Sequence, residues 1–288
     1  MSNPVTSLRS EAEALVRSLP ELTLQVNAAS APHPGAAGRK KGGQGEQFWQ
    51  YRRYSNSDAA ERIDWRRSAR SDEYYVRETE LETARTILFW CDSDLGFDWS
   101  GQTDRPTKAA RARVLMLCAG IQLSAAGERI GVLGGARPPS AGRSATNRLA
   151  EDLLVPGLAP QTQARGERLL VLASDFYSPL EALEQRIETL SPICKQGILL
   201  AVTDPIEHSF PFSGRVRFRQ PGQAPKRLLG RAEKFRDSYI SRFKSHQDDL
   251  DQLAARAGWH LVRHRTDEMP LQGASDLQSA FHQLGVSA

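Results

Sequence analysis

The sequence predicts an α/β protein: a doubly wound, mostly parallel sheet with helices on both faces. Three observations predict it. Short, predominantly apolar runs, such as Thr86–Cys91 and Gly197–Val202, read as strands buried on both faces. Segments with helical periodicity separate them. Carboxylates follow the apolar runs, at Asp92, Asp94, Asp175 and Asp204, where the carboxyl edge of such a sheet would lie.

The elements are expected in the following order. Leu8, Ala12, Leu15, Val16 and Leu19 share one face of a helix that Pro20 ends. Residues 27–45, rich in Ala, Pro, Gly and Lys, read as a loop with Arg39-Lys40-Lys41 at its centre. Residues 46–85 have no clean period, apart from a short strand at Tyr74–Arg77. A strand over 86–91 follows, then a helix capped by Asp104 with Pro106 in its first turn, stopping at Gly127. Next come a strand at 129–133, a helix at 144–154 and a strand at 168–173. Ser178-Pro179-Leu180-Glu181 reads as a capping box. Strands at 197–202 and 216–218 precede a long helix over 231–257. Phe235, Tyr239, Phe243, Leu250 and Leu253 form its inner stripe. A strand at 259–262 and a helix opened by Ser275 complete the chain. The expected division is 1–85 and 86–288.

Composition narrows the function classes. Of 288 residues 40% are hydrophobic and 25% charged, ordinary for a globular chain. The net charge of +4, with acids and bases interspersed, argues against nucleic acid. Cys91, Cys118 and Cys194 fit no zinc spacing and read as buried free thiols. No run approaches the roughly 20 apolar residues of a membrane span, and no basic-then-apolar leader is evident, so a cytoplasmic location is expected. His260 and His264 read as surface residues.

Two stretches carry the functional reading. In the first, Asp92-Ser93-Asp94-Leu95-Gly96 follows a buried strand. It resembles the metal-dependent adhesion motif of von Willebrand A domains, where D-x-S-x-S and a later aspartate hold a divalent ion. Asp92 matches the first aspartate, Asp94 and Gly96 replace the two serines, and Asp175 matches the later aspartate. Thr146 is the candidate for the motif's threonine. The resemblance implies a degenerate site for Mg²⁺, whose hard-cation chemistry suits oxygen ligands, or one that binds no metal.

The second stretch runs Gly45-Glu46-Gln47-Phe48, Arg52-Arg53-Tyr54, Asp58, Arg62-Ile63-Asp64-Trp65, Ser68-Ala69-Arg70, Val76-Arg77-Glu78. It resembles the signature of the domain-of-unknown-function 58 family, which precedes a von Willebrand A-like half; Ser57 stands where that family usually has glycine. The resemblance implies a non-enzymatic adaptor acting with a MoxR-type AAA+ ATPase and other von Willebrand A proteins. Arg62, Asp64, Trp65, Arg66, Arg67 and Arg70 combine guanidinium groups, a carboxylate and an indole. They read either as a structural clasp anchored by Ile63 and Trp65 or as a patch that binds a partner.

The alternative is an enzyme. Asp92-x-Asp94 also resembles the first motif of haloacid-dehalogenase-type phosphatases, with Asp92 as nucleophile and Asp94 as general acid and base. Ser174, Lys195 and Asp204 would then hold the phosphate and Mg²⁺.

Overall fold

A computed structural model describes residues 3–20, 42–54, 64–68, 73–80, 85–155, 168–194, 196–218 and 227–285. The chain divides into two compact units, Val26–Ala84 and the remainder. The first helix therefore belongs with the sheet and not with the signature segment. Its buried Leu8 and Ala12 join the core that also contains the helices following the first and last strands of the sheet.

The smaller unit is built on an antiparallel pair, β1 (Gly42–Arg53) and β2 (Tyr75–Glu80). Of the expected loop, 27–41 lies outside the described residues, and 42–45 belongs to β1. Gly42, Gly43 and Gly45 lie in a strand whose register shifts on either side of Phe48. Such irregularity removes the alternation from which a strand would be read in sequence. A single helical turn, α2 (Trp65–Ser68), is tied back to β2. The Asp64 amide donates to the Tyr75 carbonyl at 2.8 Å, and the Tyr75 amide to Ser68 Oγ at 2.9 Å.

The larger unit contains a five-stranded, all-parallel sheet in the order β4-β3-β5-β6-β9. These strands are β3 (Thr86–Cys91), β4 (Arg129–Val132), β5 (Arg168–Ser174), β6 (Gln196–Thr203) and β9 (His260–Arg265). Alternate residues of each strand enter opposite cores. Ile87, Phe89, Val171, Ile198 and Leu200 pack with α1 (Pro4–Ser18), α3 (Lys108–Ala125), α4 (Arg143–Asp152) and α8 (Pro270–Gln283). Leu88, Trp90, Leu170, Leu172 and Leu199 pack with α5 (Leu180–Leu190) and α7 (Arg236–Ala257). This is the expected doubly wound arrangement, consistent with a von Willebrand A-like fold. Counted within the sheet the strands run 2-1-3-4-5, so chain order reverses between β3 and β5. Ligand crevices form at such a point, outside the carboxyl ends of the strands.

Several helix starts differ from expectation. Pro106 disfavours helical backbone at Arg105, so α3 begins later, with Thr107 as N-cap accepting from the Ala110 amide at 3.0 Å. Ser178 makes no cap; α5 starts after Pro179. The capping box belongs instead to the short helix α6 (Pro205–Ser209), between Asp204 and Glu207. α8 starts at Pro270, five residues before Ser275. A hairpin of β7 (Val216–Phe218) and β8 (Arg227–Leu229) and a 3₁₀ turn at Ala232–Phe235 precede α7. Among the described residues no helix is long and apolar enough to cross a membrane.

Candidate functional site

The carboxyl edge of the sheet gathers all four acids: Asp92 and Asp94 after β3, Asp175 after β5 and Asp204 after β6. Asp92 leaves β3 beside β5, its amide donating to the Ala173 carbonyl at 2.8 Å. Ser174 Oγ donates to Asp92 Oδ2 at 2.7 Å and accepts from the Phe176 amide at 3.1 Å. Asp92 Oδ1 accepts from the Asp94 amide at 3.0 Å, and Asp94 Oδ1 from the Gly96 amide at 2.6 Å. The reversal point of the sheet is therefore laced by hydrogen bonds between the ends of β3 and β5. Phe176 sits at φ 54°, a costly conformation for a bulky residue. Its amide bond to Ser174 and the 2.7 Å contact of its carbonyl with His246 Nε2 hold it there.

Asp175 carries the second feature. Its Oδ2 accepts from Lys108 Nζ at 2.7 Å, and the same ammonium donates to Glu207 Oε1 at 2.6 Å. The Lys108 side chain is only 2% exposed. It lies 5.2 Å from the Tyr177 ring centroid and 5.7 Å from that of Trp99, so two aromatic faces and two carboxylates enclose one cation. Tyr177 donates its hydroxyl to Glu207 Oε2 at 3.1 Å. Burial pushes the Glu207 carboxyl above its ordinary range, and Lys108 opposes that shift. Burial, and then Glu207, raise the Tyr177 phenol. Sequence reasoning missed both Lys108 and Glu207. The fourth residue of the Asp204 capping box was the one available signal for Glu207, and nothing local marks Lys108.

These residues do not fit a divalent ion. Mg²⁺ needs free carboxylate oxygens in near-octahedral array. Here both Asp92 oxygens and one of Asp94 accept hydrogen bonds, and Asp175 is neutralised by an ammonium that would repel a second cation. Among the described residues no three His, Cys, Asp or Glu side chains group as metal ligands would. Thr146 is no candidate. Its hydroxyl donates to Arg143 within α4, whose start is tied by Gly142 to Ser124 near the opposite end of α3. Asp204 is wholly buried, accepting from the Gly101 and Ile206 amides, Arg105 and Thr266. It joins loops and offers no oxygen to a phosphate-bound metal. Lys195 lies outside the described residues.

The thiols are equally closed to chemistry. All three are free and buried, and desolvation pushes Cys91 and Cys118 to about 12 and Cys194 to about 11.

Beside the Lys108 network lies a groove of about 590 Å³. Tyr177, Phe210, Phe218, Phe235, Tyr239 and Phe243 wall it, with Arg242 and Ser238 at the lining. The predicted inner stripe of α7 is thus divided. Leu250 and Leu253 enter the core, whereas Phe235 is 47% exposed and Tyr239 and Phe243 are only partly covered. The N-terminal half of α7 faces Phe210 and the β7–β8 hairpin instead of the sheet: Tyr239 lies 4.7 Å from Phe210, and Phe210 5.8 Å from Phe218. Phe210 takes positive φ (41°) to cap α6.

The signature segment is described only in part. Arg62, Ile63 and Arg70 lie outside the described residues, as do the side chains of Arg66 and Arg67. Trp65 is 61% exposed and meets Tyr74 edge to face at 5.8 Å. His264 was also misplaced: it is buried, its Nε2 3.1 Å from Arg111 Nη1. A guanidinium only donates, so Nε2 accepts and the ring is neutral. Desolvation first, then Arg111, lower its pKa to about 4.

A family model described as "Protein of unknown function DUF58" matches residues 50–249. The chain belongs to this family. Neither the curated proteins nor the solved structures give a match. The family match spans most of the signature segment, four of the five sheet strands and the aromatic groove.

Proposed function

We propose that this protein is a non-enzymatic interaction module that binds a MoxR-type AAA+ ATPase through the carboxyl edge of its sheet. One observation carries the docking surface. In the larger unit, the exposed large apolar side chains among the described residues are Leu95, Trp99, Tyr177, Phe235, Met269 and Val155. The first five follow strands β3, β5 and β9 or open α7, all at the carboxyl edge; Val155 follows α4, whose Leu153 carbonyl accepts from Arg113 in the N-terminal half of α3. Exposed apolar residues scattered singly need no explanation, but a concentration on one edge marks an interaction surface. The signature residues Asp64 and Trp65, with the arginines around them, are a second contact in this reading. The partner's class rests on family membership and on the resemblance drawn from residues 45–78.

Docking is metal-independent in this proposal, because Lys108 supplies the cation at Asp175. Free buried thiols fit a reducing compartment and hence the cytoplasm. The test is capture of the purified MoxR-type ATPase in ATP, ADP and nucleotide-free states, with wild type and with Leu95→Glu/Met269→Glu. Capture by wild type that the double variant abolishes is expected. No capture in any nucleotide state would overturn the reading.

A further inference from the structure

Charge is not evenly spread along this chain. Residues 210–246 contain ten Lys or Arg against two acids, Glu233 and Asp237, although the whole chain carries only +4. Everything outside that segment is therefore net acidic. The interspersion expected from the sequence as a whole fails here, because one hairpin and the start of one helix concentrate the basic residues. Arg215, Arg217, Arg231, Lys234, Arg242 and Lys244 are all exposed. None of the six has an ion-pair partner among the described residues. Arg242 lines the aromatic groove, and the other five stand on or beside the hairpin, the 3₁₀ turn and the helix whose Phe218, Phe235, Tyr239 and Phe243 wall it; charges gathered on these elements raise the local positive potential.

The groove has the volume of a ligand site. Its walls are rings packed against one another, with centroids 4.7 to 6.2 Å apart. Such a concave apolar site takes an inserted side chain, whereas single-stranded nucleic acid stacks on flat aromatic faces left open to solvent. Aromatic anchors in pockets with a charged rim are the usual form of a protein hot spot. We propose that this groove binds a short acidic segment of a partner protein, seating one aromatic or leucine side chain between Tyr177, Phe210, Tyr239 and Phe243 while its carboxylates pair with Arg242 and the surrounding basic residues. This deepens the docking function proposed above and rests on it for the class of partner.

The probe is a fluorescein-labelled peptide, Glu-Asp-Glu-Leu-Phe-Glu-Asp, titrated with the full chain and followed by anisotropy. Saturable binding is expected. It should weaken at least ~10-fold when Leu-Phe is replaced by Ser-Ser, and several-fold when salt is raised from low to physiological strength. Two substitutions of exposed residues test the site without touching the core. Ser238→Trp fills the groove and should abolish binding; Arg242→Glu should weaken it ~10-fold. Equal binding by wild type and Ser238→Trp would overturn the proposal, and so would tighter binding of a labelled oligo-dT of similar length.

The ATPase capture separates the two readings. Capture by wild type and Ser238→Trp alike would leave the docking module standing and remove the groove. Peptide binding that Ser238→Trp abolishes, without ATPase capture, would keep the groove and remove the assigned partner.

Discussion

Replacing Lys108 with methionine should destabilise the protein by about 3–4 kcal/mol, with an unusual pH signature. The ammonium is buried and makes two short charged bonds, 2.7 Å to Asp175 and 2.6 Å to Glu207. Removing one member of a buried ion pair costs roughly 3–5 kcal/mol, because it leaves uncompensated charge behind. Part of that charge remains satisfied. Glu207 still accepts from Tyr177 and the Asp204 amide, and Asp175 from the Tyr177 amide. The lower part of the range follows, with about 0.5–1 kcal/mol of lost cation–π attraction included. In urea this loss should move the unfolding midpoint by about 1 M or more.

The sign of the pH dependence is fixed by Glu207. Its folded-state pKa is already raised by burial, and Lys108 is the main influence lowering it. Without Lys108 it rises further. A raised folded-state pKa gives stability that is complete below the unfolded value and lost as pH rises through the folded value. The deficit of Lys108→Met should therefore shrink toward pH 4–5 and be largest above neutrality, and Lys108→Met/Glu207→Gln should recover part of it at neutral pH. A loss below about 1 kcal/mol, or one that does not vary with pH, would refute the account of Lys108 as the cation of this edge.

Three further outcomes are expected. Millimolar Mg²⁺ or Mn²⁺ should leave the melting temperature of the wild-type protein unchanged and support no hydrolysis of p-nitrophenyl phosphate; a thermal shift, or turnover lost in Asp92→Asn, would reinstate metal chemistry. Stability should fall as pH drops from 6.5 to about 4, because unfolding lets His264 take up the proton that Arg111 and burial deny it. The loss should be on the order of 2–3 kcal/mol, and His264→Gln should flatten that part of the profile in denaturant titrations. Gly273→Ala should destabilise by about 1–3 kcal/mol, since its Cβ would lie 2.6 Å from His264 Nδ1 in a packed site; an unchanged midpoint would show that the ring can move aside.

What could be read from the linear chain was periodic or local. The runs Ile87–Cys91 and Leu169–Ala173 are apolar at every position because both sheet faces are covered, and a pattern of that kind survives without knowledge of neighbours. The acids Asp92 and Asp175 were placed on one rim by the same logic, since strand ends in a parallel sheet share an edge. Their partners were not legible. Lys108 comes from the first turn of α3 and meets residues 67 and 99 positions later, a pairing that only the crossing of three elements creates. The stripe of α7 misled for a related reason. A helix longer than the sheet it covers keeps its apolar period beyond the sheet edge, where Phe235, Tyr239 and Phe243 wall a groove instead of entering a core. Periodicity states which side of a helix is apolar; the tertiary fold decides what, if anything, covers it.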